Sequence, residues 1–125
     1  MNLLQRKKIL LLEDDLILGM LTETMLGEIG MDLVATLQSG EEAPDAVARL
    51  QPDIILMDIQ LKGLWDGIET AQAIRRISDK PIIFLTGNSD AKTTEKIKAV
   101  PNATLLLKPV KENELALACR ESLSY

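Results

Sequence analysis

The chain has 125 residues, 46% hydrophobic and 26% charged, with a formal net charge of -5 and no histidine. That is one domain of ordinary size, long enough to bury about two-thirds of its unfolded surface. The acidic balance argues against a general nucleic-acid or anionic-membrane surface, which needs a basic face, and the lack of histidine excludes zinc sites, Ser-His triads and a phosphohistidine of the chain's own.

The first eight residues carry a basic pair but lead into an apolar run too short for a signal peptide or a membrane span. Cys119 is the single cysteine, so no intrachain disulfide forms. Both features predict a cytoplasmic protein.

Strand and helix then alternate five times. Residues 8–12 form an apolar strand. Residues 15–29 form a helix whose Leu18, Leu21, Met25, Leu26 and Ile29 recur at helical spacing and are expected to face inward. Asp15 reads as its N-cap, and Gly30 stops it. Residues 31–36 alternate enough to suggest a strand near an edge. Ser39 and Glu42 resemble a capping box before a second helix, where Ala43, Ala46, Val47 and Leu50 recur at i, i+3, i+4, i+7 and Pro52 marks the end. Residues 53–57 form the third strand. Asp66 and Glu69 repeat the capping logic before a helix with Ile68, Ala71, Ile74 and Ile77 on one face. The fourth strand is 81–85. The helix over 89–99 is polar and lysine-bearing, hence the least firmly held. Residues 103–107 form the fifth strand, and the last helix begins near Glu112 and packs Leu115, Ala118 and Cys119.

Short apolar runs separated by helices read as buried parallel strands, and the repeated alternation predicts an α/β three-layer sandwich, (βα)5 in form. Periodicity does not set the strand order. Ligands of open α/β sheets sit outside the carboxyl ends of the strands. Here those ends carry Glu13-Asp14, Asp58, Thr86-Gly87 and Lys108-Pro109. Carboxylates, a hydroxyl and an ammonium along one sheet edge suit a divalent cation and a phosphoryl group. The acids of the first and third strands meet if those strands are neighbours, as in the order 2-1-3-4-5.

These four motifs, in this order at four strand ends, resemble the receiver domain of two-component response regulators over essentially the whole chain. Each motif is weak alone; the ordered set is specific. The resemblance implies a single flavodoxin-like domain over 1–125 with a parallel five-stranded sheet of order 2-1-3-4-5. It implies Mg²⁺ as cofactor, bound by Asp14 and Asp58, by Glu13 through a water and by the backbone carbonyl of Gln60. Asp58 is then the phosphoacceptor nucleophile. Lys108, the Thr86 hydroxyl and the Gly87 amide stabilise the phosphoryl oxygens, and Gly87 leaves room for them. Clustered carboxylates repel, so at least one of their pKa values should rise without metal. The implied partners are a histidine kinase or histidine phosphotransfer protein as donor and a downstream protein, with no nucleic acid or membrane bound by this domain. Signalling is expected at the face of the fourth helix, fifth strand and fifth helix. Leu16 and Met20, opposite the expected inner face of the first helix, with Ile17 on its flank, are expected to help dock the donor.

Three departures from the family pattern stand out. The loop after Asp58 is one residue longer than the commonest form, with Lys62 in place of the usual proline, and its Trp65 either anchors the loop or faces a partner. Leu105 replaces the usual aromatic switch residue and reads as an ordinary packing leucine. Only residues 121–125 follow the last helix, so no output domain is expected in this chain. Two rival readings are a Mg²⁺-dependent phosphatase with an aspartyl nucleophile, which generally needs an acid where Gln60 stands, and a receiver that is never phosphorylated.

Overall fold

The computed structural model describes residues 3–87 and 90–124. Five strands, β1 (Lys8–Leu12), β2 (Asp32–Leu37), β3 (Ile54–Asp58), β4 (Ile82–Thr86) and β5 (Ala103–Leu107), alternate with helices α1 (Leu16–Ile29), α2 (Ala43–Leu50), α3 (Gly67–Arg75), α4 (Ala91–Lys98) and α5 (Glu112–Leu123). A 3₁₀ turn, Gly40–Glu42, precedes α2. All neighbouring strands pair in parallel, in the order β2-β1-β3-β4-β5. This is the flavodoxin-like topology, with a switch of direction between β1 and β3.

The pleat sends alternate residues to opposite faces of the sheet. Leu10, Leu12, Ile55, Met57, Ile82 and Phe84 meet Ala43, Ala46, Val47, Ala71, Ile74 and Ile97, so α2, α3 and α4 cover one face. Ile9, Leu11, Ile54, Leu56, Ile83 and Leu85 meet Leu26, Leu115 and Cys119, so α1 and α5 cover the other. Each fully buried aliphatic or aromatic side chain stabilises the fold by roughly 1.5–3 kcal/mol, and β1, β3 and β4 are apolar on both faces because both are covered. Among the described residues, no helix is long and apolar enough to cross a membrane.

Caps explain several of the helix ends. Asp15 Oδ1 accepts from the amides of Ile17 and Leu18, and Gly30 closes α1 at φ 93°, where a side chain would be strained. Asp66 and Glu69 form the expected capping box of α3. Ser39 and Glu42 do meet, but as a hydroxyl donating to a carboxylate at 2.9 Å, with no backbone amide capped. Asp90 caps α4 by accepting from the Thr93 amide. The expected earlier start at Ser89 lies outside the described residues.

Two inward expectations are corrected. The buried residues of α1 are Gly19, Thr22 and Leu26, whereas Leu18 and Leu21 are 39% and 57% exposed. The opening of α1 is apolar on every side, so no stripe in the sequence decides its rotation. Ile77 is 54% exposed because α3 ends at Arg75, before that residue can join its inner face.

Candidate functional site

The register of the sheet builds the site. Leu12 pairs with Met57, which puts Glu13 and Asp14 level with Asp58 just beyond adjoining strand ends. Asp58 pairs with Leu85 and Thr86 with Leu107, so the hydroxyl and the ammonium of Lys108 follow at the same rim. The ladder continues past the strands: the Ile59 amide donates to Leu85 O at 3.0 Å and the Lys108 amide to Thr86 O at 2.8 Å. The Lys108-Pro109 peptide bond is cis.

Glu13, Asp14 and Asp58 each offer an oxygen within 4.8 Å of the others. Glu13 and Asp58 are almost fully buried, at 3% and 6% exposure. The Lys108 ammonium lies 2.7 Å from Asp58 Oδ2 and 3.7 Å from Glu13 Oε1. The Gln60 amide donates to Asp58 Oδ1 at 2.9 Å, the Lys62 amide to Asp14 Oδ2 at 3.1 Å and the Asp15 amide to Glu13 Oε2 at 3.2 Å. Thr86 is buried at the end of β4, with Gly87 exposed beside it. A Cβ built on Gly87 meets nothing within 4 Å.

Burial pushes the Glu13 carboxyl up to about 6; the hydrogen bond from the Asp15 amide opposes this, the Asp58 charge adds to it and Lys108 opposes it. The expected rise in a carboxyl pKa is therefore present, but desolvation leads and repulsion follows. Burial also disfavours the Lys108 ammonium, yet the hydrogen bond and charge of Asp58, with the charges of Glu13 and Asp14, outweigh it and raise its pKa above the ordinary value. The ammonium is thus charged across the physiological range and compensates two buried carboxylates. The three hard oxygen donors suit a small divalent cation; the fixed cation in contact with two of them suits a phosphoryl oxygen.

Three features of this rim were not legible in the sequence. Gly67, the first residue of α3, has no room for a side chain: a Cβ would lie 2.6 Å from Ile59 Cα and 2.8 Å from Asp58 O. Leu18, Leu21, Met25, Pro109 and Val110 line a cavity of about 350 Å³ that opens beside Glu13 and Lys108. Trp65, left open between anchor and exposed group, is half-buried, with its amide donating to Glu41 Oε1 at 2.8 Å.

The family profile described as the response regulator receiver domain matches residues 9–120. The DNA-binding response regulator MtrA of Mycobacterium tuberculosis is 35% identical over 121 residues, covering 94% of this chain and 51% of the relative. The probable transcriptional regulator ycf27 of Porphyridium aerugineum is 32% identical over 120 residues, covering 96% and 49%. The chain spans about half the length of these curated relatives. The signal receiver domain of a modulated diguanylate cyclase from Desulfovibrio desulfuricans superposes with a TM-score of 0.87 at 32% identity, over 95% of this chain and 94% of that one. The BeF3-activated receiver domain of Klebsiella pneumoniae RstA gives 0.84 at 29% identity, over 95% and 100%.

Proposed function

The chain belongs to the response regulator receiver family of two-component signalling, and on that premise we propose that it takes a phosphoryl group on Asp58 from a histidine kinase or histidine phosphotransfer protein. The observation that carries this reading is the Asp58 carboxylate itself, buried yet held between the Lys108 ammonium at 2.7 Å and the Gln60 amide at 2.9 Å. A carboxylate so oriented presents an oxygen to an incoming phosphorus, and phosphoryl transfer asks the protein mainly for positioning and charge stabilisation.

Glu13, Asp14 and Asp58 fit Mg²⁺ by donor type and spacing, with the Gln60 carbonyl completing the protein's share. When bound, the ion neutralises charge on the phosphoryl oxygens. The chain's own groups supply the rest. An Asp58 oxygen forms the new bond to phosphorus as the donor's nitrogen–phosphorus bond breaks, and the electron pair leaves with the imidazole. Lys108 shifts its hydrogen bond from the carboxylate to a phosphoryl oxygen, and the Thr86 hydroxyl and Gly87 amide donate to the others. The domain catalyses its own phosphorylation and slow dephosphorylation and is no conventional enzyme. In the phosphatase alternative, the position two residues past the nucleophile is Gln60, which has no acidic proton to give.

Helix α1 suits the donor's docking. Leu16, Ile17 and Met20 are 68%, 72% and 65% exposed, and the cavity lined by Leu18 and Leu21 reaches the same rim. Clustered exposed apolar residues mark contact surfaces more often than scattered ones do. Output passes through a population shift at α4, β5 and α5 to a protein partner in the cytoplasm. Leu105 is half-buried against the core beneath that face, so packing transmits the change in place of an aromatic hydroxyl.

Acetyl phosphate with Mg²⁺ should add one phosphoryl mass, labile to hydroxylamine, to the wild-type chain and none to Asp58→Ala. Equal labelling of both by intact-mass measurement overturns the assignment.

A further inference from the structure

The loop joining β3 to α3 is tied down through three of its own amides. The Gln60 amide donates to Asp58, the Lys62 amide to Asp14 and the Trp65 amide to Glu41. Two of these carboxylates belong to the site. Glu41 does not; it lies in the 3₁₀ turn after the edge strand β2. We infer that Glu41 is a positioning residue, a post that holds the loop in register so that Lys62 and Gln60 present their backbone groups correctly to Asp14 and Asp58.

The post is itself rigid. A Cβ on Gly40 would lie 1.9 Å from Thr70 Oγ1, so the turn rests directly on α3. Thr70 is fully buried, and its hydroxyl donates to Asp66 O, the last residue of the loop, at 2.7 Å. Glu41, α3 and the end of the loop therefore move as one piece. On the other side Gly63 takes φ +108°, a conformation that side chains rarely adopt, and a Cβ there would sit 3.5 Å from Glu41 Oε2. The bend at Gly63 thus folds over the Glu41 carboxylate, which accepts from the amide two residues later.

The division among the three ties has a consequence. Under the phosphoacceptor reading, on which this inference rests, Asp14 and Asp58 gain a cation or a phosphoryl group as neighbours, and their bonds to loop amides weaken. Glu41 gains no such neighbour. Its bond, charge-assisted and roughly twice as strong as a neutral one, persists while the other two change, so the longer loop keeps one anchor in every state. The sequence hides this role, because Glu41 followed by Glu42 reads only as the acidic first turn of a helix.

The test uses the full chain with Glu41→Ala and Glu41→Gln, the second retaining an acceptor oxygen. In metal-free protein, NMR of Glu41→Ala should show the Trp65 amide proton moved upfield and the Lys62 amide exchanging roughly tenfold faster, as expected for losing one hydrogen bond to a charged group. Titration with MgCl₂, followed by fluorescence of the single tryptophan, should show a midpoint raised roughly fivefold. Acetyl phosphate labelling should slow at limiting Mg²⁺ and recover at saturating Mg²⁺. Glu41→Gln should restore most of each change. If Glu41→Ala shifts the Trp65 amide while Lys62 exchange and the Mg²⁺ midpoint stay at wild-type values, the tie is local and the inference is wrong; it is equally wrong if glutamine does no better than alanine. A wild-type chain that takes no label would count against the phosphoacceptor reading, while the amide measurements would still decide the role of Glu41.

Discussion

Lys108 Nζ donates to Asp58 Oδ2 at 2.7 Å, so the cation expected to read a phosphoryl group is already bound to the residue expected to carry it. The pair is part-buried, and breaking one partner away leaves the other poorly solvated. In the unphosphorylated chain Lys108 also competes with any metal for the Asp58 oxygens. Lys108→Ala should therefore leave Mg²⁺ affinity within a small factor of wild type, or tighten it, yet uncouple phosphorylation from the conformational response. Asp14→Ala should weaken Mg²⁺ binding by roughly tenfold or more, because few other protein ligands remain. Calorimetric titration of both variants checks this; matching losses contradict the division of labour.

Glu13 makes the metal-free site costly. Its carboxyl is pushed up to about 6 from 4.5, first by burial. The folded chain thus holds this proton to a higher pH than the unfolded chain does. The resulting stabilisation is fully present below pH 4.5 and is lost as the pH rises through 6. Glu13→Gln, which does not ionise, should gain on wild type across that window, reaching about 2 kcal/mol above it. Thermal melts in EDTA at the two ends of the window measure the difference. An offset that does not change with pH refutes it.

Gly67 and Gly87 lie near Asp58 at the rim but should respond differently to alanine. At Gly67 the new methyl meets the backbone of Asp58 and Ile59, and neither can turn aside. Gly67→Ala should cost roughly 1–3 kcal/mol and slow labelling of Asp58. At Gly87 the space is open, so Gly87→Ala should change stability by no more than about 0.5 kcal/mol. Urea denaturation midpoints for the two variants decide the matter.

The exposed apolar side of α1 predicts a specific loss. Leu16→Ser combined with Met20→Ser should slow phosphoryl transfer from the protein donor severalfold, while acetyl phosphate labelling stays at the wild-type rate. Both residues are well exposed, so stability should change little. Transfer at an unchanged rate returns these residues to ordinary surface.

The sequence by itself determined the alternation of strands and helices, the capping of α1 by Asp15 and of α3 by Asp66, and the residues at the rim: Glu13, Asp14, Asp58, Thr86, Gly87 and Lys108. These signals are local. An apolar run bounded by a polar residue marks a buried strand and its end, and a short polar side chain immediately before a helix, joined at Asp66 by a glutamate three residues later, marks a cap. The edge position of β2 was legible in its mixed apolar and polar residues, and the strand is only partly buried along its length, unlike β3 and β4.

Tertiary structure decided the rest. The rotation of α1, which turns Gly19, Thr22 and Leu26 inward and Leu18 and Leu21 outward, is set by tertiary packing: a Cβ on Gly19 would already stand 3.7 Å from Glu13 Cγ, so the helix comes close to Glu13 at its glycine. The need for glycine at 67 arises from backbone approaching across eight residues, a distance no local pattern encodes. The ties from Lys62 to Asp14 and from Trp65 to Glu41 join residues 48 and 24 positions apart. Such pairings depend on how the sheet and helices stack, because a loop amide takes whichever acceptor the packed elements bring within reach.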